Sequence, residues 1–217
     1  MRPGARERAG RGRGVPSPRG VRVAGVILAA GRSTRMGAVN KLLAEVKGVP
    51  IVRRVTRTVL DAALDPVVVV LGHDADAVRR ALDGLPVRFV VNPEHETGIG
   101  SSVRAGVRAV ATVEGAMIVL GDMPWLAVPD LRALVGAFAP GEGRGICAPV
   151  AGGRRGNPVL WGARYFPELR ALEGDVGGRR LLAEHAEDVH EVPVAGDGVV
   201  ADVDTPEALD AARAGGR

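Results

Sequence analysis

Apolar residues along the chain fall into two alternating patterns, short unbroken runs and helical stripes. Val26-Ile27-Leu28-Ala29-Ala30 has no polar position on either face, so it predicts a strand buried on both sides. Pro66 to Leu71, Val87 to Val91 and Gly115 to Leu120 predict three more strands. Between the first two runs, Ile51, Val52, Val55, Val59 and Leu60 share one face of a helix within Pro50 to Leu64, with Arg53, Arg54 and Arg57 opposite. Asp74 to Leu82 reads as a helix with Asp74 in the cap position, and Pro129 to Ala139 as another. Gly98-Ile-Gly-Ser-Ser-Val-Arg-Ala-Gly106 leads into an Ala- and Val-rich helix. Strands alternating with helices predict right-handed crossovers and a mainly parallel sheet, with ligands beyond the carboxyl ends of its strands.

The later chain changes character. Gly145 to Val150 and Asn157 to Trp161 read as short strands about the basic turn Gly152-Gly153-Arg154-Arg155-Gly156. Val189 to Val194 and Gly198 to Val203 read as late strands. Thr205 is placed to cap a final helix whose first position is Pro206, with Glu207 in its first turn.

With 217 residues and 46% apolar content the chain can bury a substantial core, and one domain over residues 21–217 is the economical reading. No apolar run approaches the roughly 18 residues of a membrane span. The single cysteine, Cys147, allows no internal disulfide and fits a reducing compartment, so a cytoplasmic protein is expected. The net charge is +4, but the first 20 residues carry +5, with six arginines against only Glu7, so the body at −1 is close to neutral. That Gly-, Pro- and Arg-rich tail has little to bury and is expected to be disordered. With so few aromatics for base stacking, no nucleic-acid partner is expected, and a cleaved secretion signal is not expected either, because no apolar h-region separates the arginines from a cleavage site.

The first strand runs into Gly31-Arg32-Ser33-Thr34-Arg35-Met36-Gly37, with Lys41 close behind. It is neither a P-loop, whose second glycine is followed directly by lysine, nor the G-x-G-x-x-G dinucleotide turn. Small residues, hydroxyls and the cations Arg35 and Lys41 suit a polyphosphate wrapped by backbone N–H groups, and equally an ordinary strand-to-helix turn with solvated arginines. Asp122 ends the fourth strand, where a carboxylate serves as a helix cap or as a metal ligand. Asp202 and Asp204 precede the last helix cap and are not needed for it. His73 reads as a turn residue, and His185 and His190 as surface groups without metal-ligand spacing.

Leu28-Ala29-Ala30-Gly31, Arg35-Met36-Gly37 and Asn40-Lys41-Leu42-Leu43 resemble the opening signature of nucleotidyltransferases with a glycosyltransferase-A-like fold. Among these the chain resembles the MobA-like molybdenum cofactor cytidylyltransferases. Guanylyl-transferring members usually carry Ala-Gly-Gly where this chain has Ala29-Ala30-Gly31. The resemblance extends to Arg155-Gly156-Asn157-Pro158, to Gly174-Asp175 with Gly177-Gly178-Arg179, and to Asp202-Val203-Asp204-Thr205-Pro206, in the family's order. It implies an α/β fold of three layers, α/β/α and Rossmann-like, with a mainly parallel central sheet and a small β excursion. It further implies transfer of CMP from CTP to the phosphate of molybdenum cofactor, with Mg2+ or Mn2+ held by Asp122 and Asp204, Asp202 in reserve. In that scheme Arg35 and Lys41 hold the triphosphate, and Leu28, Ala29, Ala30, Gly31 and Ser33 form its loop. Asn92, Gly98 and Ser101 line the base pocket. Arg155, Gly156, Asn157, Pro158, Asp175, Gly177, Gly178 and Arg179 face the acceptor. A molybdenum hydroxylase is the candidate recipient of the product. A guanylyl transferase, a sugar phosphate or phospholactate acceptor, and a non-catalytic cofactor chaperone remain alternatives.

Overall fold

The computed structural model describes residues 20–32 and 40–213. Expectations that fall on residues 1–19 and 33–39, Ser33 and Arg35 among them, lie outside the described residues. The first strand, β1 (Val23–Ala29), is buried along its whole length, because it is flanked on both sides within the sheet and covered on both faces. It lies between β4 (Val67–Leu71) and β6 (Gly115–Leu120), parallel to both, and β5 (Arg88–Val91) extends the sheet beyond β4 as an edge. Beyond β6 the direction reverses at β9 (Val159–Gly162), which pairs antiparallel with β6 and with β7 (Ile146–Ala151). A parallel strand, β10 (Val189–Pro193), closes that side, and the two-residue β8 (Arg154–Arg155) folds back on β7. A separate hairpin of β2 (Glu45–Val46) and β3 (Val49–Pro50) is the small β excursion.

Alternate residues of the buried strands feed two cores, the arrangement that period-two geometry forces on a doubly covered sheet. Val23, Ile27 and Ala29 point to one layer, made by α1 (Ile51–Asp61), α2 (Ala75–Ala81), α4 (Val128–Ala137) and α7 (Pro206–Arg213). Ala24, Val26 and Leu28 point to the other, made by α3 (Ile99–Ala109), α5 (Phe166–Arg170) and α6 (Arg179–Glu184). The helical stripe of α1 is as expected, with Ile51, Val52, Val55 and Val59 buried. The sheet is α/β and mainly parallel in the half that carries β1.

Two expectations need correction, and a third is refined. Gly198 to Val203 is not a strand: a 3-10 turn spans Asp197–Val200, and the backbone bonds of the segment go to loops instead of a ladder. Asn157 N donates to Val199 O at 2.7 Å, and Val203 N donates to Asp122 O at 3.0 Å. Asp74 holds the cap position of α2, and its carbonyl accepts the first helical bond from Val78 N at 3.0 Å, but its side chain makes no capping bond and accepts instead from Asn40 Nδ2 at 3.1 Å. His185 is half-buried, against the Tyr165 ring and 2.6 Å from Glu168 Oε2. His190 is exposed as expected, and Thr205 Oγ1 accepts from Ala208 N as a cap should.

Candidate active site

The carboxyl ends of β1 and β6 open into a cleft of about 690 Å³. Leu28, Ala30 and Gly31 reach it from β1, and Leu120, Gly121 and Asp122 from β6. Ala29 points the other way, into the core beneath α1, so of the first-strand signature only its neighbours face the cleft. Lys41 and Leu42 enter from the turn that begins at Lys41, and Asp204 from the chain before α7.

Lys41 is the centre of this wall. Its ammonium lies 2.5 Å from Asp122 Oδ2 and 2.5 Å from Asp204 Oδ1. Burial alone would lower the ammonium's pKa, but the two carboxylates together outweigh it and the net shift is upward. The bond from Val203 N to Asp122 O ties the two acidic segments together, so the second carboxylate is held by backbone as well as by charge. Asp202 is exposed as a residue. Partial burial of its carboxyl, then the neighbouring charges of Asp204 and Asp122, raise its pKa.

The same wall offers oxygens to a divalent cation. Among the described residues there is no ready-made group of three or more acidic, histidine or cysteine ligands. Asp122 Oδ1, however, is buried with no hydrogen-bond partner, which is costly for a carboxylate oxygen unless something completes it. Two carboxylates of which one keeps an open oxygen suit Mg2+, which retains waters and takes few protein ligands. The donor set fits such an ion.

On the opposite wall, residues 92–102 are built around Asn92. Its amide donates to Ser101 Oγ at 2.8 Å and to Ser102 Oγ at 3.1 Å, and its carbonyl accepts from Glu94 N at 3.0 Å. Asn92 and Ser101 are buried and spend their polar groups inside the loop, so they support this wall from beneath instead of lining the cleft. Gly98, Ile99 and Ser102 take the lining positions. Gly98 has φ +113, and a Cβ there would meet the Gly174 carbonyl carbon at 2.3 Å, so only glycine lets the loop touch the Gly174 segment. Arg32, His95 and Glu96 also line the cleft, with an Arg32 to Glu96 ion pair at 2.8 Å. The expected residues included none of these three, nor Ile99 or Ser102; a helix beginning one residue after Gly98 was the available signal for Ile99 and Ser102.

A second cavity of about 870 Å³ adjoins the first and shares Leu28, Ile99, Leu120 and Asp175 with it. Arg155, Gly156, Asn157, Gly177, Gly178 and Arg179 all border it, together with Arg180. Pro158 is buried behind Asn157 and does not border it. The floor is apolar and includes Trp161, another residue absent from the expected set. Arg155 is held by Glu191, whose Oε1 accepts from two guanidinium nitrogens at 2.7 and 3.2 Å.

Beyond the carboxyl ends of β1 and β6 a lysine and two carboxylates meet beside two adjoining cavities, an arrangement that suits a nucleotidyltransferase. The chain belongs to the MobA-like NTP transferase family, whose domain profile matches residues 25–189. It is 34% identical to the purine catabolism protein PucB of Bacillus subtilis, over 87% of this chain and 95% of that one. It is 32% identical to the nicotine blue oxidoreductase of Paenarthrobacter nicotinovorans, over 86% and 94%. A probable molybdenum cofactor guanylyltransferase of Natronomonas pharaonis is 41% identical over 47% of this chain and 50% of its own. Among solved structures, a nucleotidyl transferase from Methanothermobacter thermautotroptrophicus superposes with TM-score 0.79 at 25% identity, covering 89% of this chain and 97% of that one. The manganese complex of Rv0371C from Mycobacterium tuberculosis gives 0.75 at 27% identity, covering 89% and 98%. No helix among the described residues is long and apolar enough to cross a membrane.

Proposed function

We propose that this nucleotidyltransferase moves the cytidylyl group of CTP to the terminal phosphate of molybdenum cofactor and releases pyrophosphate. The observation that carries the reading is the shared wall of the two cavities, where a nucleotide on one side and a second anion on the other would meet at the carboxyl ends of β1 and β6. Similarity to a protein named as a molybdenum cofactor guanylyltransferase supports the acceptor. The resemblance of Leu28-Ala29-Ala30-Gly31 to cytidylyl-transferring relatives, where guanylyl-transferring ones usually carry Ala-Gly-Gly, supports cytosine.

The acceptor phosphate is already an anion, so the reaction needs no strong base; the obstacle is bringing two anions together in line. An acceptor oxygen bonds to the α-phosphorus while the bond from that phosphorus to the β-phosphate oxygen breaks. In this reading Gly31 and Lys41 hold the departing pyrophosphate, with Ser33 and Arg35 of the neighbouring loop assigned by resemblance. Gly98 and Ser102 face the nucleobase, and Arg155 and Arg179 take the acceptor's negative charge. Asp122 and Asp204 are the residues that would hold Mg2+ or Mn2+, which when bound supplies charge neutralisation at the triphosphate. The manganese complex of a relative supports divalent metal use.

The test is pyrophosphate release from CTP, GTP, UTP and ATP in turn, with Mg2+ and molybdenum cofactor, a sugar phosphate or phospholactate as acceptor. Release with CTP and molybdenum cofactor well above every other pair is expected. Dominant turnover of GTP would replace the nucleobase, and binding of cofactor without release from any pair would make the protein a carrier.

A further inference from the structure

The ammonium of Lys41 lies 2.5 Å from one oxygen of Asp122 and one of Asp204, so those two oxygens are at most twice that distance apart. A small divalent cation with oxygen ligands at about 2.1 Å would hold two such oxygens within about 4.2 Å of each other, a comparable separation that side-chain rotation of the carboxylates can supply. The lysine therefore stands where a cation carried by the same carboxylates would stand. Both Lys41 and Asp122 are largely covered, with side chains 17% and 13% exposed, so their attraction is weakly screened. For a cation to enter between the carboxylates, the ammonium has to leave, and it leaves readily only towards another anion. The cleft provides a place for one, since Gly31 and Lys41 border the same space and a triphosphate there would present several anionic oxygens to the ammonium.

We propose that Lys41 keeps the cation seat closed in the ligand-free protein, and that a nucleoside triphosphate opens it by drawing the ammonium onto its phosphates. Cation and nucleotide then bind cooperatively through one side chain. Linkage makes the effect reciprocal: the factor by which nucleotide raises cation affinity is the factor by which cation raises nucleotide affinity. The inference rests on the reading of Asp122 and Asp204 as the cation's ligands. It differs from a purely phosphate-holding lysine in one consequence, which is that removing the lysine charge strengthens cation binding when no nucleotide is present.

The full chain and Lys41→Met are titrated with Mn2+ alone, the free ion being read by electron paramagnetic resonance. Lys41→Met should bind Mn2+ more tightly than the native chain, by roughly 5- to 150-fold if the coupling is of ordinary size. Equal or weaker binding by Lys41→Met overturns the inference and leaves the cation assignment standing. Absence of Mn2+ binding by either protein, with CTP as well as without it, overturns both. A second measurement needs no substitution, because Lys41 and Lys47 are the only lysines of the chain and Lys47 is exposed. In protein labelled with 13C and 15N at lysine, saturating CTP in the presence of a chelator should move the Lys41 side-chain signals and leave those of Lys47 in place. Lys41 signals that stay unmoved at saturation overturn the inference.

Discussion

Asp122 uses its two oxygens unequally, Oδ2 on Lys41 and Oδ1 buried without a partner, and that asymmetry makes it the residue whose loss should be felt most in transfer. Asp122→Ala is expected to lower turnover on the order of 100-fold or more, the usual cost of one preorganised electrostatic contact. Near-normal turnover with Mg2+ and CTP would remove Asp122 from the chemistry. Cys147 shows the opposite use of burial. It lies on β7 with no exposed surface, and burial pushes its thiol up from 9.0 to about 11, the Arg144 guanidinium pulling weakly the other way. Because the folded value exceeds the unfolded one, the chain binds more protons folded than unfolded between those limits. The stability this contributes is complete below about pH 9 and is lost as pH rises towards 11, at about 1.4 kcal/mol for each pH unit crossed. Urea midpoints of the native chain should therefore fall more steeply across that window than those of Cys147→Ala; parallel profiles would show that the thiol does not titrate as described.

Among the elements, α3 matters most because its first turn lines the cleft and its middle rests on the sheet. A Cβ at Gly106 would come within 2.3 Å of Val26 Cγ1 and 3.0 Å of Val70 Cγ2, so the helix sits as low on β1 and β4 as backbone allows. Gly106→Ala would lift it. Overpacking of this kind typically costs about 1–3 kcal/mol, against the smaller gain in helix propensity. A lower urea midpoint at unchanged slope is expected, and a midpoint at or above the native value would show that the sheet relaxes to admit the methyl group. Local patterning predicted α1, α2 and α4 and the strands β1, β4, β5 and β6, because each reports its own covering through residues close in sequence, whereas α3 begins at Ile99, inside the segment expected to lead into it. It failed at Gly198 to Val203, whose apolar residues are buried by loops that meet there from Asn157 and Asp122. No local pattern distinguishes that from a strand.

At the scale of the molecule, the two cavities divide the face of one sheet. The cleft of Lys41, Asp122 and Asp204 belongs to the first-half strands and the last loop, and the arginine-bordered cavity to the segments around β8 and α6. If that division is also one of ligands, Arg155→Ala and Arg179→Ala should each raise the acceptor KM about 10- to 150-fold, the worth of a hydrogen bond to a charged group. CTP affinity, measured by calorimetry without acceptor, should change little. Loss of CTP binding with acceptor KM unchanged would invert the assignment.

The sequence by itself determined the alternating α/β order, the doubly buried first strand and the residue types available at each strand end, because these depend on neighbours within one element. It also marked Lys41, Asp122 and Asp204, although 163 positions separate the first from the last. Only the tertiary structure decided that the three share one charge cluster, that Asn92 and Ser101 turn inward while Ser102 faces the cleft, and that Ile99 stands between two cavities. Charge pairing and hydrogen-bond satisfaction act over a few ångströms of space, and the distances that govern them are set by how the crossovers bring remote strand ends together.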